Sequence, residues 1–295
     1  MSTSILWFKK DLRIIDHKPL WEASKNGLVL PLYIFEPEIL DSEDYDPRHH
    51  QFINDSLEFL KIELEKIDGY LHVEYGSALE VFQKIKTQIS GQIGVFSHEE
   101  TGNWISYQRD IHLKNWCKKN TINWIEFPQH GVQRPIKNRD GWSKNWHNKM
   151  KIDKFLPPKK LKQINLKSEI IPTPKDIGFD NSYSFDIQKG GRKSGQKLLD
   201  SFLKIRSKNY SKEMSSPLTA FDSCSRLSAH LSFGTLSIKE VFQATEIRKS
   251  ELKELPKEKK GNRIKSLNTF SGRLRWHCHF IQKLEDQPEI EFKNM

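Results

Sequence analysis

Two histidines, a cysteine, a tryptophan and two arginines fall within RLRWHCHF, residues 273–280. Such a group could hold a metal ion, face a nucleic acid or occur by chance. On a helix, however, His277 and His279 point about 200° apart, whereas two histidine ligands on one helix usually lie about four residues apart. Cys278 lies between them on a third bearing. The spacing therefore predicts no metal site.

A second candidate is DSCSRLS, residues 222–228, which is dense in residues that cap helices. Hydroxyls and backbone N–H groups at a helix N-terminus suit a phosphate, through hydrogen bonds and the helix dipole. An ordinary helix cap explains the same pattern. The chain contains neither G-x-G-x-x-G nor G-x-x-x-x-G-K-[ST], so no standard phosphate loop is predicted.

Residues 142–151, WSKNWHNKMK, interleave aromatic and imidazole rings with lysines. Rings among cations suit the stacking of nucleic-acid bases. The alternative is that Trp142 and Trp146 anchor a surface segment beneath a helical domain.

The charge of the chain is divided between its halves. Residues 1–130 carry 14 Lys and Arg against 20 Asp and Glu, whereas residues 131–295 carry 34 against 18. A basic half indicates a polyanionic partner, although abundant lysines can merely solvate helices. Three widely spaced cysteines argue against a disulfide framework. No run approaches the roughly 18 apolar residues of a membrane span, and no signal peptide is present, so we expect a soluble, cytoplasmic protein.

Apolar runs alternate with helical periods over residues 1–130. Residues 28–35 have the composition of a strand buried on both faces, and residues 49–67 repeat apolar residues near a period of 3.6. This alternation predicts an α/β domain with a doubly wound parallel sheet.

The remaining residues have a different pattern. Residues 131–190 are punctuated by proline and lack a sustained period, which predicts an extended connector on the surface. Helical periods over 196–210, 237–252 and 266–284, with no strand signal, predict an all-helical domain over 191–295.

ILWFKKDLRIIDHKPLWEA (5–23) resembles the opening of the photolyase/cryptochrome family, which reads WFRRDLRxxDNPAL. RLSAHLSFGTLSIKEV (226–241) is similar to the family segment RLSPYLxFGxLSxRxV. Residues 270–292 resemble the start of the family's flavin-binding domain. The resemblance covers the whole chain and implies an α/β domain, a long connector and an all-helical domain that holds FAD and meets damaged DNA.

In that family a tyrosine and a T-S-x-L-S segment hold the FAD phosphates. The resemblance therefore implies an FAD site at Tyr210, Cys224, Ser225, Arg226, Leu227 and Ser228. Cys224 replaces the usual threonine, so one hydroxyl contact is lost or weakened.

The lesion-side helix of the family reads E-L-x-W-R-E-F-Y. By resemblance, the catalytic positions are Trp276, which would lie beside the extruded pyrimidine dimer, Arg273 at the Glu position and His277 at the Arg position. Arginine keeps its proton, so it can only stabilise an anion, whereas histidine can titrate near neutral pH. Met214 stands where repairing relatives often have an arginine that contacts phosphate. These departures indicate a divergent member.

The resemblance implies a light-driven carbon–carbon lyase that repairs pyrimidine dimers. Two alternatives remain: a cryptochrome-like blue-light sensor without repair activity, and a residual α/β module whose basic tail binds nucleic acid. An antenna chromophore, a folate or a deazaflavin, is implied for the α/β domain, but residues 99–114 lack the Asn-Glu pair of folate-binding relatives. Relatives also extend well beyond this length, so we expect a truncated FAD domain or a separate chain that completes it.

Overall fold

The computed structural model describes residues 2–134, 136, 138–164, 166, 173–177 and 187–293. The chain divides into two compact units. The first unit comprises Met1–Gln129 and Phe155–Arg192, and the second comprises His130–Lys154 and Lys193–Met295. No helix among the described residues is both long and apolar enough to cross a membrane.

A parallel sheet forms the centre of the first unit. Its strands are β1 (Thr3–Phe8), β2 (Leu28–Phe35), β3 (His72–Tyr75), β4 (Ile93–His98) and β5 (Asn123–Phe127). They lie in the order β3-β2-β1-β4-β5, which reverses direction between β1 and β4. All of β1 and nearly all of β2 are buried, as expected for central strands with helices on both faces. The predicted doubly wound fold is confirmed.

Five helices connect these strands. They are α1 (Lys18–Ala23), α2 (Pro37–Leu40), α3 (Pro47–Glu65), α4 (Ala78–Gln88) and α5 (Trp104–Lys119). The longest, α3, begins after Asp46, whose carboxylate accepts the N–H of Arg48 at 2.8 Å. Its apolar stripe, which includes Phe52, Leu57 and Leu64, is buried, as its period predicted.

The second unit is helical. Its helices are α6 (Trp142–Lys151), α7 (Arg192–Lys204, which begins at the boundary), α8 (Tyr210–Glu213), α9 (Ala220–Ser223), α10 (Ser228–Ser232), α11 (Ile238–Lys253), α12 (Lys257–Lys260) and α13 (Arg263–Asp286). Trp146, Phe202 and Phe270 share its core. No strand occurs among the described residues of this unit, in agreement with the predicted all-helical domain.

The segment predicted as an extended connector, 131–190, is divided between the units. Within it α6 buries Trp142, Trp146 and Met150, because their spacing of four residues places them on one helix face. The interpretation that these rings anchor the segment under helices is therefore correct, and the extended conformation is wrong for α6. Later in the segment, Gln163 pairs in parallel with Val29 of β2. The prediction for residues 165, 167–172 and 178–186 lies outside the described residues.

Candidate functional site

Tyr210 begins α8 and is largely enclosed by the core of the second unit, with 7% of its surface exposed. Its ring meets those of Phe202 and Phe270 edge to face. Burial raises the pKa of Tyr210, the Cys224 thiol raises it further, and the Arg273 guanidinium lowers it. Three predicted site residues, from α8, the loop after α9 and α13, therefore share one electrostatic neighbourhood.

Residues 224–227 of the predicted phosphate segment form the turn between α9 and α10, and Ser228 begins α10. The Ser225 hydroxyl accepts the N–H of Leu227 at 3.4 Å, and Leu227 is buried in the core. Arg226 has a φ of 59°, in the left-handed region, and its guanidinium stacks 3.7 Å from the centre of the Phe221 ring. Leu227 thus anchors the turn in the core.

Ser228 does begin a helix, as predicted, but α10 has five residues. A helix that short has little macrodipole. The expected contribution of a helix dipole to phosphate binding is therefore wrong here. What remains are hydroxyls, backbone donors and nearby guanidinium groups.

Arg206, which the sequence did not indicate as a site residue, binds the backbone of this segment. Its guanidinium donates to the backbone carbonyl oxygens of Cys224 and Ser225, the latter at 3.2 Å. The only sequence signal was a basic residue four positions before Tyr210, in KIRSKNY.

The three residues predicted for the lesion side separate on α13. Trp276 is 47% exposed, and the Arg273 guanidinium lies 4.5 Å from its ring centre, within range of a cation–π interaction. His277 instead packs against His130, with ring centres 5.3 Å apart. Trp276 and Arg273 form one surface pair, which His277 does not join.

The surroundings of His277 affect its protonation. Burial lowers its pKa, and its Nδ1 finds no hydrogen-bond partner within the described part of the chain. Its partly enclosed position therefore favours the neutral ring over the charged one, which the helical spacing alone did not reveal. That His277 titrates near neutral pH stays a prediction.

The other polar residues of RLRWHCHF lie in separate surroundings. Cys278 is fully buried, and His279 packs against Trp142 and lies 3.3 Å from an Arg139 nitrogen. The helix thus directs its imidazoles and thiol toward different neighbours.

Asp11, His17 and His98 converge in the first unit, at the carboxyl ends of β1 and β4. Asp11 Oδ2 lies 2.9 Å from His17 Nε2 and 2.6 Å from His98 Nδ1. The backbone N–H of Leu20 donates to His17 Nδ1 at 3.1 Å, so Nε2 carries the proton of the neutral ring and donates to Asp11. That nitrogen has no lone pair to offer, so the trio does not form a metal centre in this tautomer. Its hydrogen bonds instead join the loop after β1, which carries Asp11, to His17 at the start of α1 and to His98 at the end of β4.

A network of buried ion pairs lies at the same edge of the sheet. Arg109 donates to Glu36 at 2.6 Å, to Glu100 at 2.6 Å and to Asp110 at 2.9 Å. Lys9 donates to Asp110 at 2.7 Å. Burial raises the pKa of Glu36 to about 7, although Arg109 opposes that rise. Its Oε2 finds no hydrogen-bond partner among the described residues.

In doubly wound folds, ligands bind where the strand order reverses, outside the carboxyl ends of the strands. Here the protein's own ion pairs and the Asp11 trio lie near the reversal point and are paired with one another. They therefore give no support for an antenna chromophore at this point.

A groove of about 730 Å³ opens between α6, α11 and α13 of the second unit. Phe242 forms part of its floor, and Gly272 leaves open space in its wall. No sequence motif indicates this groove, because its walls come from three separate helices. Its carboxylate, Glu246, already accepts from Lys249 and Ser271.

The family model described as DNA photolyase matches residues 4–141. The cryptochrome DASH of Synechocystis sp. is 26% identical over 268 residues, which cover 82% of this chain and 54% of that protein. The chain thus spans about half the length of that relative.

Solved structures show the same fold. A bacterial class III photolyase from Agrobacterium tumefaciens superposes with a TM-score of 0.78 at 21% identity, covering 100% of this chain and 61% of that one. An archaeal photolyase from Sulfolobus tokodaii, solved with two FAD molecules, gives a TM-score of 0.64 at 22% identity, covering 85% and 58% respectively.

Proposed function

This chain belongs to the photolyase/cryptochrome family, and from that premise we propose that it is a photolyase-like flavoprotein that binds FAD and acts on pyrimidine dimers in DNA. The supporting observation is that Tyr210 of α8, Leu227 of the turn before α10 and Phe270 of α13 share one buried core, against which Cys224 packs.

The residues present fit a dinucleotide with a diphosphate. The Arg226 guanidinium supplies positive charge, and the Ser225 hydroxyl belongs to the same turn. Tyr210 supplies an enclosed wall. When bound, reduced FAD would supply the light-driven electron that opens a pyrimidine dimer.

The roles of the chain's own residues follow from their positions. Trp276 presents a half-exposed indole on which an unstacked base can lie. Arg273 keeps its positive charge beside that ring and can only stabilise negative charge. A damaged base is poorly stacked, so its extrusion toward Trp276 costs less than that of an intact base. The basic half of the chain would attract the DNA.

The relatives are longer than this chain, and this difference affects the affinity for FAD that we expect. This chain spans 54–61% of the relatives described above. We therefore expect FAD to bind this chain alone more weakly than it binds a polypeptide that also carries the relatives' remaining length, whether in one chain or as a separate one.

The test is to load the purified chain with FAD, desalt it and record the flavin absorption bands. The Cys224→Thr variant restores the family residue and should retain more FAD than wild type. A chain that retains no flavin in either form would overturn the proposal.

The flavin-loaded chain is then illuminated with an oligonucleotide that carries a thymine dimer. Loss of the dimer in blue light but not in darkness supports the proposed activity. Trp276→Ala should reduce DNA affinity and dimer loss, whereas Trp104→Ala, at a similarly exposed indole of the first unit, should change neither. Retained flavin with light-dependent spectral changes and no dimer loss would favour the light-sensor alternative. DNA affinity without flavin would favour the nucleic-acid-binding module.

A further inference from the structure

Arg206 opens the 3₁₀ turn Arg206–Lys208 and makes hydrogen bonds to two separate stretches of backbone. On one side it donates to Leu198 O at 2.8 Å and to the Ser201 hydroxyl at 3.0 Å, both on α7. On the other side it donates to Cys224 O and to Ser225 O. One side chain thus links α7 to the first two residues of the 224–228 segment.

The chemistry of arginine suits this link. Its planar guanidinium carries five N–H donors in a fixed fork, so it can hold several carbonyl oxygens at once. A lysine ammonium is a point charge on a flexible stem and does not reproduce the fork. Arg206 binds the backbone oxygens of Cys224 and Ser225, whereas the Ser225 hydroxyl makes a different contact, with the N–H of Leu227.

We propose that Arg206 is a positioning residue of the candidate flavin site, which clamps the carbonyls of Cys224 and Ser225 to α7 and so fixes how residues 224–228 present their donors to a diphosphate. The inference rests on the proposed function for the identity of the ligand. The clamp itself is a property of this chain and can be measured without flavin.

The Cys224 thiol reports on the clamp. It is partly exposed, whereas Cys117 and Cys278 are buried. Burial raises the pKa of the Cys224 thiol, and Arg206 opposes that rise. Among the described residues, Asp222, Arg226 and Tyr210 also interact electrostatically with Arg206 or Cys224. Loss of Arg206 therefore has two separable effects on Cys224, a looser backbone and a higher thiol pKa.

The experiment measures the reaction rate of Cys224 with 5,5′-dithiobis(2-nitrobenzoate) as a function of pH. The variants are Arg206→Gln and Arg206→Lys. The matched control is Arg248→Gln, because Arg248 also donates to α7, at Leu203 O (3.3 Å), and otherwise pairs with Glu251 of its own helix α11. Circular dichroism verifies that each variant is folded, and the lysine variant remains informative if the glutamine variant does not fold.

In Arg206→Gln we expect the limiting rate at high pH to rise about tenfold, because the segment opens more often, and the apparent thiol pKa to rise. In Arg206→Lys the limiting rate should rise similarly while the thiol pKa stays near that of wild type. The control should change neither. Limiting rates that stay at the wild-type value in both Arg206 variants would overturn the inference.

FAD binding provides the second measurement. In both Arg206 variants we expect the dissociation constant for FAD to rise about tenfold. An unchanged constant, in a wild-type chain that binds FAD, would overturn the positioning role. If wild type binds no FAD while the thiol responds as expected, the clamp is supported and the proposed flavin function is refuted.

Discussion

Glu36 offers the sharpest test of the buried ion network in the first unit. This residue follows β2 and is 5% exposed. Burial raises its pKa from the ordinary 4.5 to about 7. A pKa difference of that size between the unfolded and the folded chain corresponds to about 3 kcal/mol of folding free energy, at 1.36 kcal/mol for each pKa unit.

The direction in which pH changes the stability of the folded chain follows from proton linkage. The folded chain binds the Glu36 proton more tightly than the unfolded chain does, so this stabilisation is complete below pH 4.5 and is lost as pH rises through about 7. Glu36→Gln removes the titration and keeps an oxygen for Arg109. Relative to wild type, the variant should therefore gain roughly 2.5 kcal/mol of unfolding free energy between pH 5 and pH 9.

The assay is urea unfolding at constant ionic strength across that pH range, followed by hydrogen exchange of β1 and β2 peptides, which belong to the first unit. Glu38→Gln is the control, because Glu38 is exposed on α2, two residues along the chain. Parallel pH dependences of wild type and Glu36→Gln, or a variant that is less stable at pH 9, would refute the reasoning.

Three further substitutions test the packing of two glycines and the charge of Asp11. Gly131→Ala should lower the unfolding free energy of the second unit by about 2–3 kcal/mol, because the added Cβ would lie 2.1 Å from Cδ1 of the fully buried Trp146. Thermal unfolding measures this loss of stability. An unchanged unfolding midpoint would contradict this packing. Gly272→Ala, within α13, should instead stabilise by about 0.5–1 kcal/mol, since its Cβ would meet no described atom within 4 Å; denaturant unfolding that shows destabilisation would argue against it. Burial would raise the pKa of Asp11, but His17 and His98 hold that pKa well below the ordinary value. The charged Asp11 carboxylate therefore stabilises the folded chain at neutral pH, and this stabilisation is lost in acid. Asp11→Asn should therefore cost about 3 kcal/mol at pH 7, because hydrogen bonds from two imidazoles to a charged acceptor are lost, and less near pH 3. An equal cost at both pH values would disprove the assignment of Asp11 as the charged acceptor.

The elements that depend on local pattern were predictable from the sequence. The strand at residues 28–35 was placed at its observed bounds, because a run that is buried on both faces contains few polar residues. The predicted helix over 237–252 corresponds to α11, Ile238–Lys253, whose first turn is capped by the Ser237 hydroxyl.

The contacts that depend on tertiary packing were not predictable. Proline and lysine obscured α6, whose helix is stabilised by core contacts of Trp146. Arg206 acts on residues 18 and 19 positions away, and no periodicity encodes such a contact. Likewise, nothing in the helical spacing of His277 indicates that His130 would cover it.

The division of residues 130–192 between the two units has a consequence for how the chain can be dissected and synthesised. Each unit consists of two separate stretches, so a cut after residue 129 divides the first unit and a cut after residue 192 divides the second. A fragment that begins at residue 193 lacks Trp146, which is fully buried in the core of the second unit. During synthesis, residues 130–154 leave the ribosome before the helices they pack with. Folding of the second unit therefore waits for the C-terminal stretch, while the first unit is completed by residues 155–192.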